Sequence, residues 1–333
     1  MVKSDTKGSL SVLVCGGAGY IGSHMVRMLA AHGHTVTTFD NLSTGHRQAV
    51  EHGAFVLGDL MDPSALKALF AARHFDVVMH FSAKLLVGES VRKPALYWAN
   101  NVVGTHYLLE AMRVAGVDRF VFSSTAAVYG EPRQPLIDET HPLAPLNPYG
   151  QTKLAVEKML ADYAVAYGLK SVTFRYFNAA GADPSGRIGE SHDPETHLVP
   201  NVLLAALGRK PGLQVFGDAY PTPDGTCVRD YVHIEDLCRA HVAAVAYMAA
   251  NPGAQVFNLG NGAGFSVLEI IRAAEAVSGL KIPYEFAPPR DGDSPQLVAD
   301  SAKARALLGW TPRYTDVASI IETAWKWHRE QRY

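Results

Sequence analysis

Short apolar runs alternate with amphipathic stretches through the first half of the chain. The apolar runs end at glycine or polar residues, a pattern typical of strands that are buried on both faces of a parallel sheet. They predict strands over residues 10–15, 35–39, 54–57, 77–80, 119–123 and 171–176. The intervening segments carry apolar residues at helical spacing and predict helices over residues 21–32, 63–72, 95–115 and 149–167.

This regular alternation predicts an α/β protein with a Rossmann-like, doubly wound parallel sheet, because right-handed crossovers place helices on both faces of such a sheet. After residue 176 the pattern changes, and stretches rich in proline, glycine and aspartate separate shorter elements, as in residues 181–197, 217–226 and 287–295. We therefore predict a first domain over residues 10–179 and a smaller C-terminal α/β region over residues 180–333. Some later segments are expected to fold back onto the first domain.

Composition narrows the class of protein further. The chain has 333 residues, 48% of them hydrophobic and 19% charged, which favours a compact globular protein over a disordered chain or a coiled coil. Its 30 Lys and Arg against 32 Asp and Glu give a net charge of -2, without the basic surplus that binds nucleic acid or membrane surfaces. Neither nucleic acid nor a membrane is therefore an expected partner.

Cysteine and histidine patterns indicate no metal. Cys15, Cys227 and Cys238 form no CxxC pair, and the sequence contains no HExxH motif, so the expectation is neither a disulfide framework nor a zinc site. The first residues carry no apolar segment of a signal peptide, and the sequence has no apolar run of membrane-spanning length. We expect a soluble, cytoplasmic protein.

A glycine-rich turn joins the first predicted strand to the first predicted helix. Residues 16–22, GGAGYIG, contain both GxGxxG and GxxGxxG, and glycines in this place let a pyrophosphate approach backbone N–H groups at a helix N-terminus. Asp40 follows Gly22 by 18 residues, near the spacing at which a carboxylate accepts the ribose hydroxyls of an adenosine. Because this carboxylate would repel a 2′-phosphate, the pattern predicts NAD rather than NADP. Asp59, after the third strand, is a candidate for the adenine edge or a simple helix-flanking acid.

Tyr149 and Lys153 form a YxxxK motif whose side chains share one helix face. The motif opens the helix that follows the fifth strand, and that strand ends in Ser123, Ser124 and Thr125. A phenol with a pKa near 10 becomes a base near neutral pH if its pKa falls by about three units. An ammonium on the same helix face and a positive nicotinamide ring would lower it, so the motif predicts a catalytic Tyr/Lys pair. An ordinary surface pair is the alternative.

Together these motifs resemble one family. GGAGYIGSH, DNLSTG, HFSA, FSSTAAVYG, NPYGQTK, RYFNAAGADP, VRDYVHIEDL and RDGDSP follow one another between about residues 11 and 330. In sequence and order they resemble the UDP-glucose 4-epimerases, which are NAD-dependent members of the extended short-chain dehydrogenase/reductases. The resemblance implies NAD binding by residues 10–179 and UDP-sugar binding by residues 180–333. It also implies interconversion of UDP-glucose and UDP-galactose through a 4-keto sugar, and a homodimer paired through helices 95–115 and 149–167.

The same resemblance implies roles for individual residues. Tyr149 would be the base, Lys153 would lower its pKa and hold the nicotinamide ribose, and Thr125, a serine in many relatives, would bond the sugar 4-hydroxyl. Cofactor positions, besides Tyr149 and Lys153, are Gly16, Gly19, Tyr20, Ile21, Gly22, Asp40, Asn41, Asp59, Leu60, Phe81 and Asn100. Substrate positions, besides Thr125, are Asn178, His197, Leu198, Phe216, Arg229, Tyr231, Arg290, Asp293 and Leu297.

Departures from the family pattern leave alternatives open. A relative has asparagine where this chain has His197, and Lys84 stands one position before a lysine common in the family. Leu297 occupies a position where tyrosine excludes N-acetyl sugars and a small residue admits them, so partial admission is expected. A UDP-pentose or UDP-N-acetylhexosamine 4-epimerase, and a silent NAD-sensing protein, are the alternatives. A dehydratase is disfavoured because Ala126-Ala127 replaces the acidic pair that elimination needs.

Overall fold

The computed structural model describes residues 8–290 and 293–333, which form two compact units. Of the described residues, the first unit comprises those within Met1–Gly130, Leu143–Arg175 and Cys238–Phe257, and the second comprises those within Glu131–Pro142, Tyr176–Leu237 and Asn258–Tyr333. The chain therefore crosses between the units several times. The sequence analysis placed the main boundary after residue 179 and expected some later segments to fold back onto the first domain. A late helix and strand account for the return to the first unit, because that strand lies at the edge of the sheet of the first unit.

The elements have the following bounds in chain order. The strands are β1 (Ser11–Cys15), β2 (Thr35–Asp40), β3 (Ala54–Leu57), β4 (Val77–His80), β5 (Arg119–Thr125), β6 (Lys170–Tyr176), β7 (Asn178–Ala180), β8 (Leu213–Phe216), β9 (Val228–Arg229), β10 (Tyr231–His233), β11 (Ala254–Leu259), β12 (Phe265–Ser266), β13 (Tyr284–Ala287) and β14 (Gln296–Leu297). The α-helices are α1 (Tyr20–Ala31), α2 (Pro63–Ala72), α3 (Val87–Arg92), α4 (Pro94–Tyr97), α5 (Gly104–Ala115), α6 (Pro148–Tyr167), α7 (Leu198–Ala206), α8 (Ile234–Ala250), α9 (Val267–Ser278), α10 (Ala302–Leu308) and α11 (Val317–Arg329).

A seven-stranded sheet forms the centre of the first unit, in the order β11-β6-β5-β4-β1-β2-β3. Strand β1 pairs in parallel with both β2 and β4, so the chain winds outward in one direction and then in the other. In such sheets a crevice opens at the carboxyl ends of the strands where the winding reverses. The predicted Rossmann-like α/β fold is confirmed, and its ligand crevice is expected beyond the ends of β1 and β4.

The helix predicted over residues 95–115 differs in one respect. It consists of α4, a π-helical segment from Trp98 to Val103, and α5. A π-helical turn holds one residue more than an α-helical turn and often occurs at functional sites. The Asn100-Asn101 pair lies within this segment.

One apolar cluster of the first unit lies between the sheet and the helices α2, α5 and α6. It is built from apolar residues that are almost fully buried, among them Leu13, Phe39, Val78, Phe120, Leu108, Met112, Val156 and Leu160. These residues occupy the predicted strands and the apolar faces of the predicted helices. Burying them removes apolar surface from water and so fixes which helix faces point away from the core.

The second unit combines short strand pairs with a helical core. Strand β7 pairs with β10, β8 pairs with β13, and β9 lies between β12 and β14. Helices α7, α9 and α11 bury one another's apolar faces through residues such as Val202, Leu203, Ile270, Ile271, Ile320 and Ile321. None of the helices described in either unit has the length and apolar character to cross a membrane.

Candidate active site

Two glycines in the turn after β1 are required by the fold of the protein, because a side chain at either position would clash with backbone atoms. Gly16 has φ +78°, and a Cβ there would lie 2.6 Å from the amide nitrogen of Ser82. A Cβ on Gly22 would lie 2.0 Å from the carbonyl oxygen of Gly16. Gly19 is different, because a Cβ there would meet only ordinary contacts, and Gly19 begins α1 with no side-chain cap and no acidic residue in the first turn. This helix N-terminus fits a pyrophosphate.

Asp40 at the end of β2 braces this turn. Its Oδ2 accepts a hydrogen bond from the Ala18 amide at 2.9 Å, and its Oδ1 accepts one from the Leu42 amide at 2.8 Å. A carboxylate offers about four lone-pair positions, so roughly two remain for the hydroxyls of a ribose. The predicted NAD position of Asp40 therefore fits its surroundings in the structure.

A hydrogen bond between two side chains joins the loops that follow β2 and β3. The amide of Asn41 donates to Asp59 Oδ2 at 2.9 Å, while Asp59 Oδ1 accepts from the Met61 amide at 2.8 Å. The helix cap on α2 is Asp62, not Asp59. Asp59 is thus held at the rim of the sheet beside Asn41, as an adenosine contact requires, whereas Leu60 is buried in the core.

The π-helical segment fixes the loop after β4 through a residue that sequence reasoning missed. Asn101 is buried, and its side chain bonds both the amide and the carbonyl of Lys84, at 2.9 and 3.0 Å. It also donates to Thr152 Oγ1 of α6 at 3.1 Å, and Asn100 donates to it at 3.0 Å. The sequence signal that could have identified Asn101 is the pair of asparagines, Asn100 and Asn101, within an otherwise apolar helical pattern. Phe81, in the same loop, donates its amide hydrogen to Cys15 in β1.

The structure brings the predicted catalytic residues together. Asn147 caps α6 by accepting from the Gly150 amide, which places Tyr149 in the first turn and Lys153 one turn later. Lys153 Nζ donates to the carbonyl oxygen of Ser123 at 2.6 Å and lies 5.9 Å from the centre of the Tyr149 ring. Thr125 makes a side-chain hydrogen bond with the Tyr149 hydroxyl. The end of β5 and the start of α6 therefore form one polar centre.

Burial dominates the pKa values in this centre. It raises the pKa of Tyr149 to about 12, against the hydrogen bond from Thr125, which lowers it. Burial lowers the pKa of Lys153 to about 7, against the charge of Glu157, which raises it. The side chains of the protein therefore do not by themselves give Tyr149 the lowered pKa that the motif suggested, because burial of the phenol outweighs its hydrogen bond with Thr125.

A buried ionic network supports α6 behind this centre. Glu157 accepts from Ser124 Oγ at 2.5 Å and from Arg175 Nη2 at 2.5 Å, and Arg175 Nη1 donates to the Tyr129 hydroxyl at 3.0 Å. Sequence reasoning did not single out Glu157 or Arg175. Glu157 follows Lys153 by four residues on the same helix face, so its spacing carried a signal, whereas its partner Arg175 lies on β6 and is adjacent only in the fold.

Several predicted substrate residues are neighbours within the second unit. The Arg229 guanidinium bonds Asp293 Oδ1 at 3.1 Å and the Ser294 carbonyl at 2.8 Å, and Leu297 of β14 is in register with Arg229 of β9. The Arg290 guanidinium lies 3.9 Å from the centre of the Phe216 ring.

The remaining substrate candidates in that unit occupy different positions. Asn178 donates to the Asp230 carbonyl at 2.9 Å, and Tyr231 is buried. His197 precedes Leu198, the first residue of α7, and its ring contacts the Glu190 carboxylate. Burial lowers the pKa of His197, but the charge of Glu190, its hydrogen bond to the ring and the charge of Glu195 together raise that pKa to about 9. The His197 ring therefore forms an ion pair with a carboxylate. An asparagine at this position could not do so, because its side chain is uncharged.

Comparison with known proteins identifies the class to which this geometry belongs. The model of the NAD dependent epimerase/dehydratase family matches residues 12–260, and the chain belongs to that family. Among similar curated proteins, the UDP-glucose 4-epimerase of Halalkalibacterium halodurans is 51% identical over 321 residues, which cover 96% of each chain. That of Lacticaseibacillus casei is 52% identical over 320 residues, covering 96% of this chain and 97% of that one.

A solved structure gives the same result at the level of the fold. The UDP-glucose 4-epimerase from Brucella ovis in complex with NAD is 49% identical, covers 95% of this chain and 98% of that chain, and superposes with a TM-score of 0.93. The predictions of an NAD-dependent enzyme of the UDP-glucose 4-epimerase class and of its α/β fold are thereby confirmed.

Proposed function

We propose that this chain interconverts UDP-glucose and UDP-galactose by reversible oxidation at sugar carbon 4, with Tyr149 as the acid and base. The observation that carries the proposal is the polar centre of Tyr149, Thr125 and Lys153, in the same unit as the uncapped start of α1 and Asp40. A catalytically silent NAD-sensing protein could keep the glycines, but it would have no need of this intact set.

The residues divide the chemistry between them. Bound NAD would take a hydride from carbon 4, return it to the opposite face of the sugar, and favour the phenolate through its positive ring. Tyr149 accepts the proton of the 4-hydroxyl as the hydride leaves, and it returns that proton to the carbonyl oxygen when the hydride comes back. Thr125, hydrogen-bonded to the Tyr149 hydroxyl, supplies a donor and acceptor for the same sugar oxygen.

Lys153 has two proposed roles, one toward Tyr149 and one toward the cofactor. Its bond to the Ser123 carbonyl and its position 4.9 Å from the centre of the Phe122 ring keep the ammonium between β5 and α6. From there it stabilises the phenolate of Tyr149 and provides a donor for the nicotinamide ribose. In the second unit, Arg229 and Arg290 offer guanidinium groups suited to the diphosphate of UDP.

Inversion requires the sugar to present its other face between the two hydride transfers. We infer that affinity resides mainly in the UDP portion, so that the hexose is held loosely enough to turn. A solved relative supports this substrate class: the UDP-glucose 4-epimerase of Bifidobacterium longum was crystallised in complex with NAD+ and UDP, and it is 37% identical to this chain.

Sugar selectivity is predicted to depend on Leu297. We expect the UDP-glucose/UDP-galactose pair to be converted best and the N-acetyl pair more slowly, because leucine leaves more room than tyrosine and less than a small residue. Leu297→Tyr should lower kcat/KM for the N-acetyl pair selectively, by about 10- to 200-fold, the usual range for one packing contact. The measurement incubates purified protein with UDP-hexoses, UDP-N-acetylhexosamines and UDP-pentoses and separates the products.

The control for this substitution is Leu307→Tyr, which makes the same change at a half-exposed position of α10. It should leave the ratio between the sugar pairs unchanged. Equal losses on both pairs with Leu297→Tyr, or a preference of the unaltered protein for N-acetyl or pentose sugars, would reject the assignment.

We also propose a homodimer, which pairs α5 and α6 with the same helices of a second copy. Both helices expose large apolar side chains near their C-terminal ends, including Val114 at 78% and Val165 at 90% relative exposure. Light scattering should give about 72 kDa, twice the chain mass of 36.0 kDa, and Val165→Lys should shift the mass toward one chain. A mass near 36 kDa for the unaltered protein at micromolar concentration would contradict the dimer. A cytoplasmic location stays a prediction.

A further inference from the structure

Two glutamates and two histidines meet in one cluster of the second unit, in the loop before α7. Glu190, His192, Glu195 and His197 each contribute a ligand-type atom, and these atoms all lie within 4.8 Å of one another. Their spacing, ExHxxExH, matches neither the cysteine patterns nor the HExxH motif considered above. The expectation of no metal rested on those motifs and did not test this one.

The two distances from His192 are those of ligands around a small cation, whereas the hydrogen-bonded pair of His197 and Glu190 lies closer together than two ligands of one ion and would separate on metal binding. His192 Nδ1 lies 3.5 Å from Glu190 Oε1 and 3.4 Å from Glu195 Oε2, and His197 Nδ1 contacts Glu190 Oε1 directly. In a tetrahedral zinc site with bonds of about 2.0 to 2.1 Å, neighbouring ligand atoms lie about 3.3 Å apart. The two His192 distances agree with the edges of such a tetrahedron.

Charge supports the same interpretation. The side chains of Glu190 and Glu195 are only 4% and 6% exposed, and buried carboxylates are costly unless their charge is balanced. With neutral imidazoles the four residues carry a charge of about -2, which one divalent cation neutralises. The alternative balance requires two protonated histidines in ion pairs with the carboxylates.

Hydrogen bonds outside the cluster orient the Glu195 carboxylate and hold the main chain at Glu190. Glu195 Oε1 accepts from the amides of Thr196 and His197, at 2.8 and 2.9 Å, which directs Oε2 toward His192. The carbonyl oxygen of Glu190 accepts from Trp327 Nε1 on α11 at 2.8 Å. Supporting contacts of this kind orient ligands in known metal sites.

We propose that Glu190, His192, Glu195 and His197 bind one divalent transition-metal ion of the zinc class. Imidazole nitrogen together with carboxylate oxygen suits zinc better than magnesium or calcium, which take oxygen ligands. Four protein ligands complete a tetrahedron and leave no position for a substrate, so the site is structural. It cross-links the loop of residues 190–197, whose last residue caps the start of α7. His197 then acts as a metal ligand, in place of the substrate contact that the family resemblance implied.

The test measures bound metal in untagged, full-length protein. After equilibration with zinc and desalting, mass spectrometry of the metal content should give about one zinc per chain. Chelation should lower Tm, and zinc, but not magnesium, should restore it. Cobalt added to the chelated protein should produce the visible absorption of a tetrahedral site.

Variants assign the signal to the cluster. His192→Ala and Glu195→Gln should retain less than about a tenth of the zinc and lose the cobalt absorption. His52→Ala removes an exposed histidine of the first unit and should retain all of both. Circular dichroism of each variant checks folding, and the cobalt spectrum of the unaltered protein tests the site without any substitution.

The proposal is overturned if the unaltered protein retains less than about a tenth of an equivalent of zinc and gives no tetrahedral cobalt spectrum. Zinc content equal to that of the unaltered protein in folded His192→Ala and Glu195→Gln would also overturn it. Either result would assign the cluster to histidine–carboxylate ion pairs. Because metal content is read without substrate, this outcome is independent of whether the proposed sugar chemistry is right.

Discussion

Replacing Tyr149 by phenylalanine is expected to lower kcat for epimerisation by about 10²- to 10⁴-fold, the usual contribution of a positioned acid or base. The substitution keeps the ring and removes only the oxygen that carries the proton. Since that oxygen matters chiefly in the transition state, KM for the UDP-sugar should change little. Steady-state kinetics in both directions, with NAD in excess, measure both constants.

Tyr163→Phe is the matched control, because it removes a hydroxyl from the same helix. That hydroxyl bonds Glu110 at 2.7 Å and has no part in the proposed chemistry. Its kcat should stay within about twofold of the unaltered protein. A tenth or more of the original kcat remaining in Tyr149→Phe would show that another group takes the proton.

Replacing Lys153 by methionine is expected to abolish turnover and yet stabilise the NAD-free protein at pH 7. Burial lowers the pKa of Lys153 from its ordinary 10.5 to about 7, which corresponds to a cost of about 5 kcal/mol for the buried ammonium. Leaving the Ser123 carbonyl without its donor costs about 1 to 3 kcal/mol. The net gain in the free energy of unfolding should be about 2 to 4 kcal/mol.

The gain should depend on pH in a defined direction. Because the pKa of Lys153 is lower in the folded than in the unfolded chain, the unfolded chain binds more protons between about pH 7 and 10.5. The cost of the buried ammonium is therefore fully present below about pH 7 and disappears as the pH rises toward 10.5. Urea unfolding of both proteins at about pH 7 and pH 9.5 should show the advantage of Lys153→Met shrinking.

Lys158→Met provides the comparison, since Lys158 is exposed on the same helix. Its stability relative to the unaltered protein should not vary between the two pH values. If Lys153→Met is less stable than the unaltered protein at pH 7, or if its advantage is independent of pH, the cost assigned to the buried ammonium is wrong.

Local signals explain which elements were predictable. Strands β3 and β4 and helix α2 have the bounds that the sequence predicted, because apolar runs with polar ends define the strands, and Asp62 followed by proline starts the helix. The interruption of the helix over residues 95–115 was not predictable from periodicity. It accompanies hydrogen bonds from Asn101 to Lys84 and Thr152, which are distant in sequence.

In the candidate site, too, the residues in local motifs were predictable and those brought together by distant contacts were not. Glycines, Asp40 and the YxxxK pair occur in short motifs, so sequence reasoning found them. Arg175 on β6 meets Glu157 on α6 only in the folded protein, and no local pattern contains that neighbour. The sequence placed an ammonium near the phenol of Tyr149, but it could not give the degree of burial, which is the largest effect on the pKa values of both Tyr149 and Lys153.

The two backbone bonds of Asp40 limit how the coenzyme preference of this enzyme could be redesigned. Removing the carboxylate to admit a 2′-phosphate would also free the amides of Ala18 and Leu42, which it holds at 2.9 and 2.8 Å. The glycine turn would then loosen at the same step that is meant to improve NADP binding. A successful redesign must therefore supply new acceptors for both amides together with a cation for the phosphate, and a single substitution at residue 40 cannot provide both.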